Sequence, residues 1–189
     1  MLLNQCPHQL DLWQWFFGMP QRITAVVGIG RHHILEVEDD VTALLEYEDG
    51  ATGVFITSTG EAPGVNRLEI SGDRGKLTIE DGRIRFQRLR ESLKVFTQNS
   101  KARMDAPESW DLIVPHTATQ NQHLNIIANF ADAIVNRAPL VAPASDGMKS
   151  VELGNAMLLS GLRREPVTLP LDGAAFEAVL KSLIAKGPN

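Results

Sequence analysis

Three side chains near the start of the chain, Asn4, His8 and Asp11, have the types and the spacing of a proton-transfer site. At about 100° per residue, a helix brings these positions within roughly 60° of one another. An imidazole can act as a general acid or base near neutral pH, and a neighbouring carboxylate or amide can orient it or bind a hydroxyl. We therefore interpret His8 as a candidate catalytic residue and Asn4 and Asp11 as its candidate partners. The alternative is a partly buried helix in which His8 has only a structural role.

The helix that carries these residues has recognisable sequence boundaries. Pro7 is tolerated only in a first helical turn, where its missing N–H has no intrahelical partner, so the helix should begin between Asn4 and Cys6. Gly18 predicts its end. The apolar positions opposite the polar stripe are Leu10, Trp13 and Phe17. The stripe itself continues to Trp15 and contains no Lys or Glu, which is more typical of a pocket wall than of a surface in bulk water.

Residues 4–12 and 18–20 resemble the beginning of the C-terminal domain of the Gfo/Idh/MocA (glucose-fructose oxidoreductase / inositol dehydrogenase) family, in which a typical segment is Asp-x-x-x-His-x-x-Asp. His8 and Asp11 match that pattern, whereas Asn4 stands where an Asp is common. Asn4 can form hydrogen bonds but cannot take a proton at neutral pH. Further stretches similar to this domain follow in order, at 37–43, 49–53, 71–77, 122–134 and 146–151.

The resemblance implies a substrate-binding and dimerisation domain of an NAD(P)-dependent oxidoreductase that acts on the CH–OH group of a sugar or cyclitol. His8 would then take part in proton transfer from the substrate hydroxyl, and Asn4 and Asp11 would recognise hydroxyls. His123, at the start of a later helix, is a further candidate substrate ligand, and Gln5 is a weaker candidate for a cofactor contact in a full-length protein. The alternative is a non-enzymatic domain of the same origin that binds a sugar or a protein partner.

The dinucleotide-binding domain of that family would precede Met1, and no segment of this sequence replaces it. Gly28 and Gly30 form the nearest glycine-rich stretch, but the third glycine of G-x-G-x-x-G and a capped helix are missing after them. We therefore expect an isolated C-terminal domain, from a truncated gene or a deliberate excision. NAD or NADP would bind the full-length protein, and the chain alone should bind neither and should be inactive.

The composition fits a single globular domain over residues 1–189. A formal net charge of −5 argues against nucleic acid and anionic membranes as partners. No apolar run approaches ~18 residues, and the first residues lack the features of a signal peptide, so we expect a cytoplasmic protein. The lone Cys6 excludes an internal disulfide, and a buried thiol is favoured over a nucleophile. The His, Cys, Asp and Glu positions do not have the spacing of a transition-metal site.

Local patterns predict sheet first and helices later. Strands are predicted at 22–29, 40–48, 51–59, 66–71, 75–80, 83–90 and 93–98, with a short edge strand at 166–170. The Asp-Gly pairs at 49–50 and 81–82 predict tight turns, which make the joined strands antiparallel. Residues 99–119 have no clear period and predict a long surface excursion anchored by Trp110. Helices are predicted at 121–137, 146–162 and 174–186, the second capped by Ser145 or Asp146.

The predicted sheet has apolar side chains in both alternation classes, Leu44 and Phe55 as well as Leu45 and Ile56. Three or four helices cannot cover both faces of so many strands, and a large apolar patch is uncommon on a monomer. We therefore predict an α+β fold with a large, predominantly antiparallel sheet and helices packed on one face. The other face would be open for formation of a homodimer or tetramer.

Overall fold

The computed structural model describes residues 1–101, 104–116 and 121–186, and the chain in it divides into two compact units. Unit 1 comprises Met1–Glu61 and Ile126–Asn189, and unit 2 comprises Ala62–Asn125. The helices are α1 (Pro7–Phe17), α2 (Leu93–Asn99), α3 (Gln122–Asn136), α4 (Ala144–Arg163) and α5 (Gly173–Lys186). The strands are β1 (Arg22–Ile29), β2 (Glu38–Glu46), β3 (Thr52–Ser58), β4 (Arg67–Gly72), β5 (Gly75–Glu80), β6 (Arg83–Leu89), β7 (Ser109–Val114) and β8 (Val167–Thr168).

Unit 1 contains an antiparallel sheet with the strand order β3-β2-β1-β8. The register pairs Ala25 with Ala43 and Ala43 with Phe55, so these residues share the inner face with Leu45. Phe55 therefore lies on the same face as Leu45 rather than with Leu44. The outer face carries exposed apolar side chains from all three long strands, namely Val26, Leu44, Val54 and Ile56.

The core of unit 1 lies between the inner face of this sheet and the helices α1 and α4. Its fully buried side chains include Leu10 from α1, Ile23 and Leu45 from the sheet, and Leu153 and Met157 from α4. Burying a side chain of this size contributes about 1.5–3 kcal/mol. The two helices are therefore fixed to the sheet by apolar packing, which sets the position of α1.

Helix α4 approaches the edge of β1 closely where β8 ends. Ser160 is completely buried, and its Oγ accepts a hydrogen bond from the backbone N–H of Ala25 at 2.9 Å and donates one to the carbonyl of Glu165 at 2.7 Å. The hydroxyl thus satisfies a strand N–H that the two-residue strand β8 does not reach. A Cβ at Gly161 would overlap the side chain of Val27, so only glycine allows this approach.

Unit 2 contains a second antiparallel sheet, a meander with the order β4-β5-β6-β7. Its register places apolar residues on one face, namely Leu68, Ile70, Leu77, Ile79, Ile84, Phe86, Leu112 and Val114. The other face carries exposed ion pairs, among them Arg85 with Asp111 across β6 and β7, and Lys76 with Glu69 at 2.7 Å. Each strand therefore alternates between an apolar and a charged face.

The α+β class and the antiparallel strands are confirmed, with helices packed on one face of the first sheet. The strands form two sheets of four rather than one large sheet, because β3 and β4 do not pair. Residues 59–66, which join them, include Gly60, Pro63 and Gly64. Proline has no N–H for a ladder, and glycine weakens a strand, so pairing stops there.

Three local predictions were wrong. Residues 93–99 form helix α2 because Ser92 accepts the N–H of Val95 and the Asp73 carboxylate accepts the N–H of Lys94, which caps the first turn. The segment 99–119, predicted to be an irregular surface excursion, contains strand β7. Prolines 107 and 115 lie on either side of this strand and do not interrupt it. Helix α4 begins at Ala144 with Pro143 as its cap residue, ahead of the predicted Ser145 or Asp146.

Candidate functional site

The inward face of α1 fixes the orientation of the helix. Leu10 is buried, and the Trp13 indole N–H donates a 2.7 Å hydrogen bond to the hydroxyl of Tyr47. The Trp13 ring lies over Gly53 of β3, where a Cβ would overlap the ring, and it makes an edge contact with Phe55 at 6.2 Å. Burial raises the pKa of Tyr47 above its ordinary value, against the smaller opposing effect of the Trp13 hydrogen bond. The predicted inward positions Leu10, Trp13 and Phe17 are at least partly buried as expected.

The outward face of α1 carries His8, Asp11 and Trp15, all exposed. Asp11 accepts a hydrogen bond from the Gln14 side chain at 3.0 Å, and its other oxygen has no partner among the residues that the structure describes. Among the described residues, the His8 imidazole has no hydrogen-bond or ion-pair partner. An imidazole and a carboxylate three residues apart on a helix lie on neighbouring turns. Together they can bind a hydroxyl and accept its proton.

Asn4 and Gln5 do not belong to this helix, which corrects the predicted geometry. Helix α1 begins at Pro7 after the cap residue Cys6, so the angle of 100° per residue does not apply to Asn4. The backbone N–H groups of Asn4 and Gln5 both donate to the Met1 carbonyl, at 3.1 and 2.8 Å, in a turn. Both side chains are exposed, and their roles in binding substrate or cofactor stay predictions.

Buried groups that sequence analysis missed hold the segment ahead of α1. The Glu38 carboxylate accepts hydrogen bonds from the Leu2 N–H and the Met1 amino group, both at 2.8 Å. Burial opposes ionisation of Glu38, but these donors outweigh it and lower its pKa. Cys6 is buried, as expected, with its Sγ 3.3 Å from the Thr57 hydroxyl. The acidic run at 38–40 does not by itself show which carboxylate is buried, so the sequence gives no signal for this role of Glu38.

The Asp39 carboxylate organises the turn that joins β1 to β2. It is 1% exposed and accepts the backbone N–H groups of Arg31, His32 and His33 at 2.9, 2.7 and 3.0 Å. Burial opposes its ionisation, but the three donors prevail and lower the pKa of Asp39 to about 2. The His32 imidazole lies 3.2 Å from the Asp40 carboxylate beside it. This cluster explains the acidic run at 38–40 as a structural feature of the hairpin.

His123 lies in the first turn of α3 and is exposed, within the part of the chain assigned to unit 2, whereas His8 belongs to unit 1. Its role as a substrate ligand stays a prediction. Within the described residues, no group of three or more His, Cys, Asp or Glu side chains could hold a metal ion. No helix among them is both long and apolar enough to span a membrane.

The glycine pair at 28–30 does not form a dinucleotide site. Gly28 is inside β1, where a Cβ would come within 2.9 Å of the Arg31 side chain and 3.2 Å of the Asp40 Cβ. Gly30 has a φ of 55° and opens the Asp39-bound turn, which leads into β2 rather than a helix. A pyrophosphate site of this type needs free backbone N–H groups at a helix start. Within the described residues, this stretch does not fit NAD or NADP.

Comparison with known proteins agrees with this geometry. Residues 1–78 match the model of the GFO/IDH/MocA C-terminal domain family. A search of curated protein sequences gave no significant match. The fold resembles that of the WlbA dehydrogenase from Bordetella pertussis, solved with NADH and UDP-GlcNAcA, at 20% identity and a TM-score of 0.67, over 90% of this chain and 46% of that one.

Two further solved structures have the same fold. The aldose-aldose oxidoreductase from Caulobacter crescentus, solved with glycerol, matches at 19% identity and a TM-score of 0.66, over 89% of this chain and 47% of that one. An oxidoreductase from Agrobacterium radiobacter, solved with NAD+, L-tartaric acid and magnesium, matches at 18% identity and a TM-score of 0.64. The match covers 89% of this chain and 48% of that one. The chain thus spans about half the length of these structures.

These findings define the fold of the chain and the family that its sequence resembles. The chain has the fold of about half of each of these oxidoreductases, over about nine-tenths of its own length. The family resemblance of the sequence is confirmed, with residues 1–78 carrying the match to the GFO/IDH/MocA C-terminal domain.

Proposed function

We propose that the chain is the substrate-binding and dimerisation domain of an NAD(P)-dependent oxidoreductase that acts on the CH–OH group of a sugar or cyclitol. One observation carries the proposal: α1 is fixed by its inward face and presents His8 and Asp11 outward, without a described partner for the imidazole. The solved relatives named above support the substrate class, because their ligands include a sugar nucleotide, glycerol and tartaric acid.

The chemistry of such a site requires a proton acceptor. Oxidation of a CH–OH group transfers a hydride to the nicotinamide and releases the hydroxyl proton. His8 accepts that proton through a ring nitrogen of its imidazole. Asp11 accepts a hydrogen bond from a second hydroxyl of the substrate and so holds the substrate in position. This chain supplies binding and proton transfer only, so it should be inactive alone.

The role of His8 is tested in a protein that joins this chain to a dinucleotide-binding domain of the family. His8→Ala should lower kcat by roughly 10²–10⁴-fold and leave the Kd for the dinucleotide unchanged. Gln9→Ala, a change at an exposed neighbour outside the proposed site, is the matched control. Near-normal turnover of the His8 variant at neutral pH would show that the imidazole is structural.

Isothermal titration calorimetry of the chain itself tests whether it contributes a dinucleotide site. We expect no saturable binding of NADH or NADPH at micromolar concentration, because Gly28 is buried inside a strand and Gly30 lies in a turn that leads into the next strand. Micromolar binding would contradict the assignment of the chain as a substrate domain only.

The outer face of the unit 1 sheet is the proposed dimer surface. Val26, Leu44, Val54 and Ile56 form an apolar cluster across β1, β2 and β3, and Ile56 is 69% exposed. An isologous dimer is the commonest closed arrangement that covers such a face.

Light scattering at about 100 μM tests this surface, a concentration at which even a micromolar dimer is populated. The unmodified chain should be a dimer or tetramer, and Ile56→Lys should dissociate it. Ile184→Lys, at a similarly exposed position on α5, should not. A monomeric unmodified chain would overturn the proposal, and an Ile56→Lys variant that stays dimeric would place the interface elsewhere.

A further inference from the structure

Helix α1 contains two tryptophans in contrasting environments. Trp13 is held by the Tyr47 hydroxyl and packs on Gly53. Trp15 is 72% exposed, and within the described structure its indole N–H has no hydrogen-bond partner. Its only ring contact among the described residues is Phe16, at a centroid distance of 5.2 Å and a tilt of 37°. An indole left in water in this way loses the burial that normally stabilises a tryptophan.

The position of Trp15 relates it to the proposed site. Trp15 follows Asp11 by four residues and His8 by seven, so the three side chains lie on successive turns of one helix stripe. The Cβ atoms of Asp11 and Trp15 are therefore about 5–6 Å apart, a spacing that one sugar ring can span. The Phe16 ring packs beside Trp15 and limits the orientations of the indole.

We propose that Trp15 is a specificity-determining residue that stacks on the apolar C–H face of a pyranose ring while Asp11 and His8 bind its hydroxyls. The inference rests on the proposed function and names the substrate form: a cyclic sugar rather than an open-chain polyol. The C–H bonds of a pyranose are directed at one face of the ring and pack on the electron-rich face of an indole, whereas its hydroxyls point outward to polar groups.

The charges on α1 favour an uncharged ring at this position. Asp11 is the only acidic residue of the helix, and α1 contains no Lys or Arg. A phosphate or carboxylate on the bound portion of the ligand would meet a carboxylate there without a fixed cation of α1 to offset it. A nucleobase could also stack on an indole, and the experiment separates the two ligands.

Nuclear magnetic resonance on the ¹⁵N-labelled chain tests the inference, with the indole N–H signal of Trp15 assigned from Trp15→Phe. The probes are methyl β-D-glucopyranoside, sorbitol as the open-chain control, and uridine as the nucleobase control. The pyranoside should shift the signals of His8, Asp11 and the Trp15 indole, and saturation should pass from the protein to its ring C–H protons. Sorbitol should shift the signals of His8 and Asp11 more weakly and should leave the indole N–H signal of Trp15 unchanged.

Substitutions of Trp15 measure how much its indole ring contributes to the affinity for the pyranoside. Trp15→Ala should weaken pyranoside binding about tenfold or more, a change equivalent to 1.4 kcal/mol. Trp15→Phe should retain most of the affinity, and neither should change sorbitol binding. Because Trp15 is exposed, both variants should keep the circular dichroism spectrum of the parent chain.

The outcomes separate the inference from the proposed function. If the pyranoside shifts His8 and Asp11 but not Trp15, or if Trp15→Ala binds normally, the inference is wrong and the proposed function stands. If only uridine shifts the indole, the residue serves a nucleobase and the inference is wrong. If neither the pyranoside nor sorbitol shifts any of the three residues, the sugar-binding function fails together with the inference.

Discussion

The two sheets of this protein have similar strand patterns and different surroundings. In the unit 1 sheet, the inner residues Ile23, Val41 and Leu45 are fully buried because α1 and α4 pack on them. In the unit 2 sheet, the residues of strands β4 to β7 alternate as regularly, yet none is fully buried within the described structure. Alternation therefore decides which side chains share a face, whereas a second layer of structure decides whether that face becomes a core.

The carboxylates of the two units also differ in their surroundings. In unit 1, Glu38 and Asp39 are buried and are satisfied mainly by N–H groups of the main chain. In unit 2, Asp111 and Glu69 are paired with Arg and Lys side chains on an exposed face. Backbone donors are fixed in place by the fold, whereas exposed side-chain pairs lose entropy on pairing and are screened by salt.

The largest expected effect concerns the two apolar faces. Leu45→Ala should lower the free energy of unfolding by about 2–5 kcal/mol, because it opens a cavity in a fully packed core. Leu77→Ala, on the half-buried face of β5, should cost less than half as much. Urea unfolding followed by circular dichroism measures both. Equal losses would mean that the unit 2 face is packed as tightly as the core of unit 1.

Two strand glycines sharpen the comparison. Gly53→Ala should destabilise by about 1–3 kcal/mol, because the new methyl group overlaps the Trp13 ring that anchors α1. Gly72→Ala, in β4, meets no atom within 4 Å and should be neutral or slightly stabilising. Thermal unfolding of the two variants gives the difference. A neutral Gly53→Ala would show that α1 moves freely on the sheet, against its assignment as a fixed site wall.

The two kinds of carboxylate should differ in their pH dependence. Asp39 has a pKa of about 2, below the ordinary value of 3.8, so its stabilising contribution is complete above pH 4 and is lost as the pH falls toward 2. Asp39→Asn should lower stability at pH 6 and flatten the profile between pH 4 and 2. The midpoint of urea unfolding at a series of pH values measures this. A variant whose profile matches the parent would exclude Asp39 as an acid-sensitive group.

The smallest effect is expected for the charged face of unit 2. Arg85→Ala removes the exposed partner of Asp111 and should change the thermal midpoint very little, and less still at 0.5 M NaCl. A large decrease that salt does not reduce would instead indicate that this face is covered by another molecule.

Much of the fold could be predicted because its signals are local. Pro7 and Gly18 mark the two ends of α1, and the Asp-Gly pairs turn the chain between antiparallel strands. The helical spacing of apolar residues predicts α3 and α4. The errors came from contacts that are distant in sequence. Asp73 caps α2 about twenty residues away, and β7 exists because it pairs with β6. A pattern of alternation alone could not distinguish these outcomes.

The candidate site divides in the same way. The sequence by itself determined that His8, Asp11 and Trp15 share one stripe of a helix, because helical geometry depends only on residue spacing. The tertiary structure added the contacts that fix this stripe in its outward orientation, since the packing of Leu10 and Trp13 on the sheet sets the rotation of α1. It also removed Asn4 from the helix and placed Glu38 and Asp39 as buried supports, because a carboxylate becomes a structural anchor only where the fold brings backbone N–H groups to it.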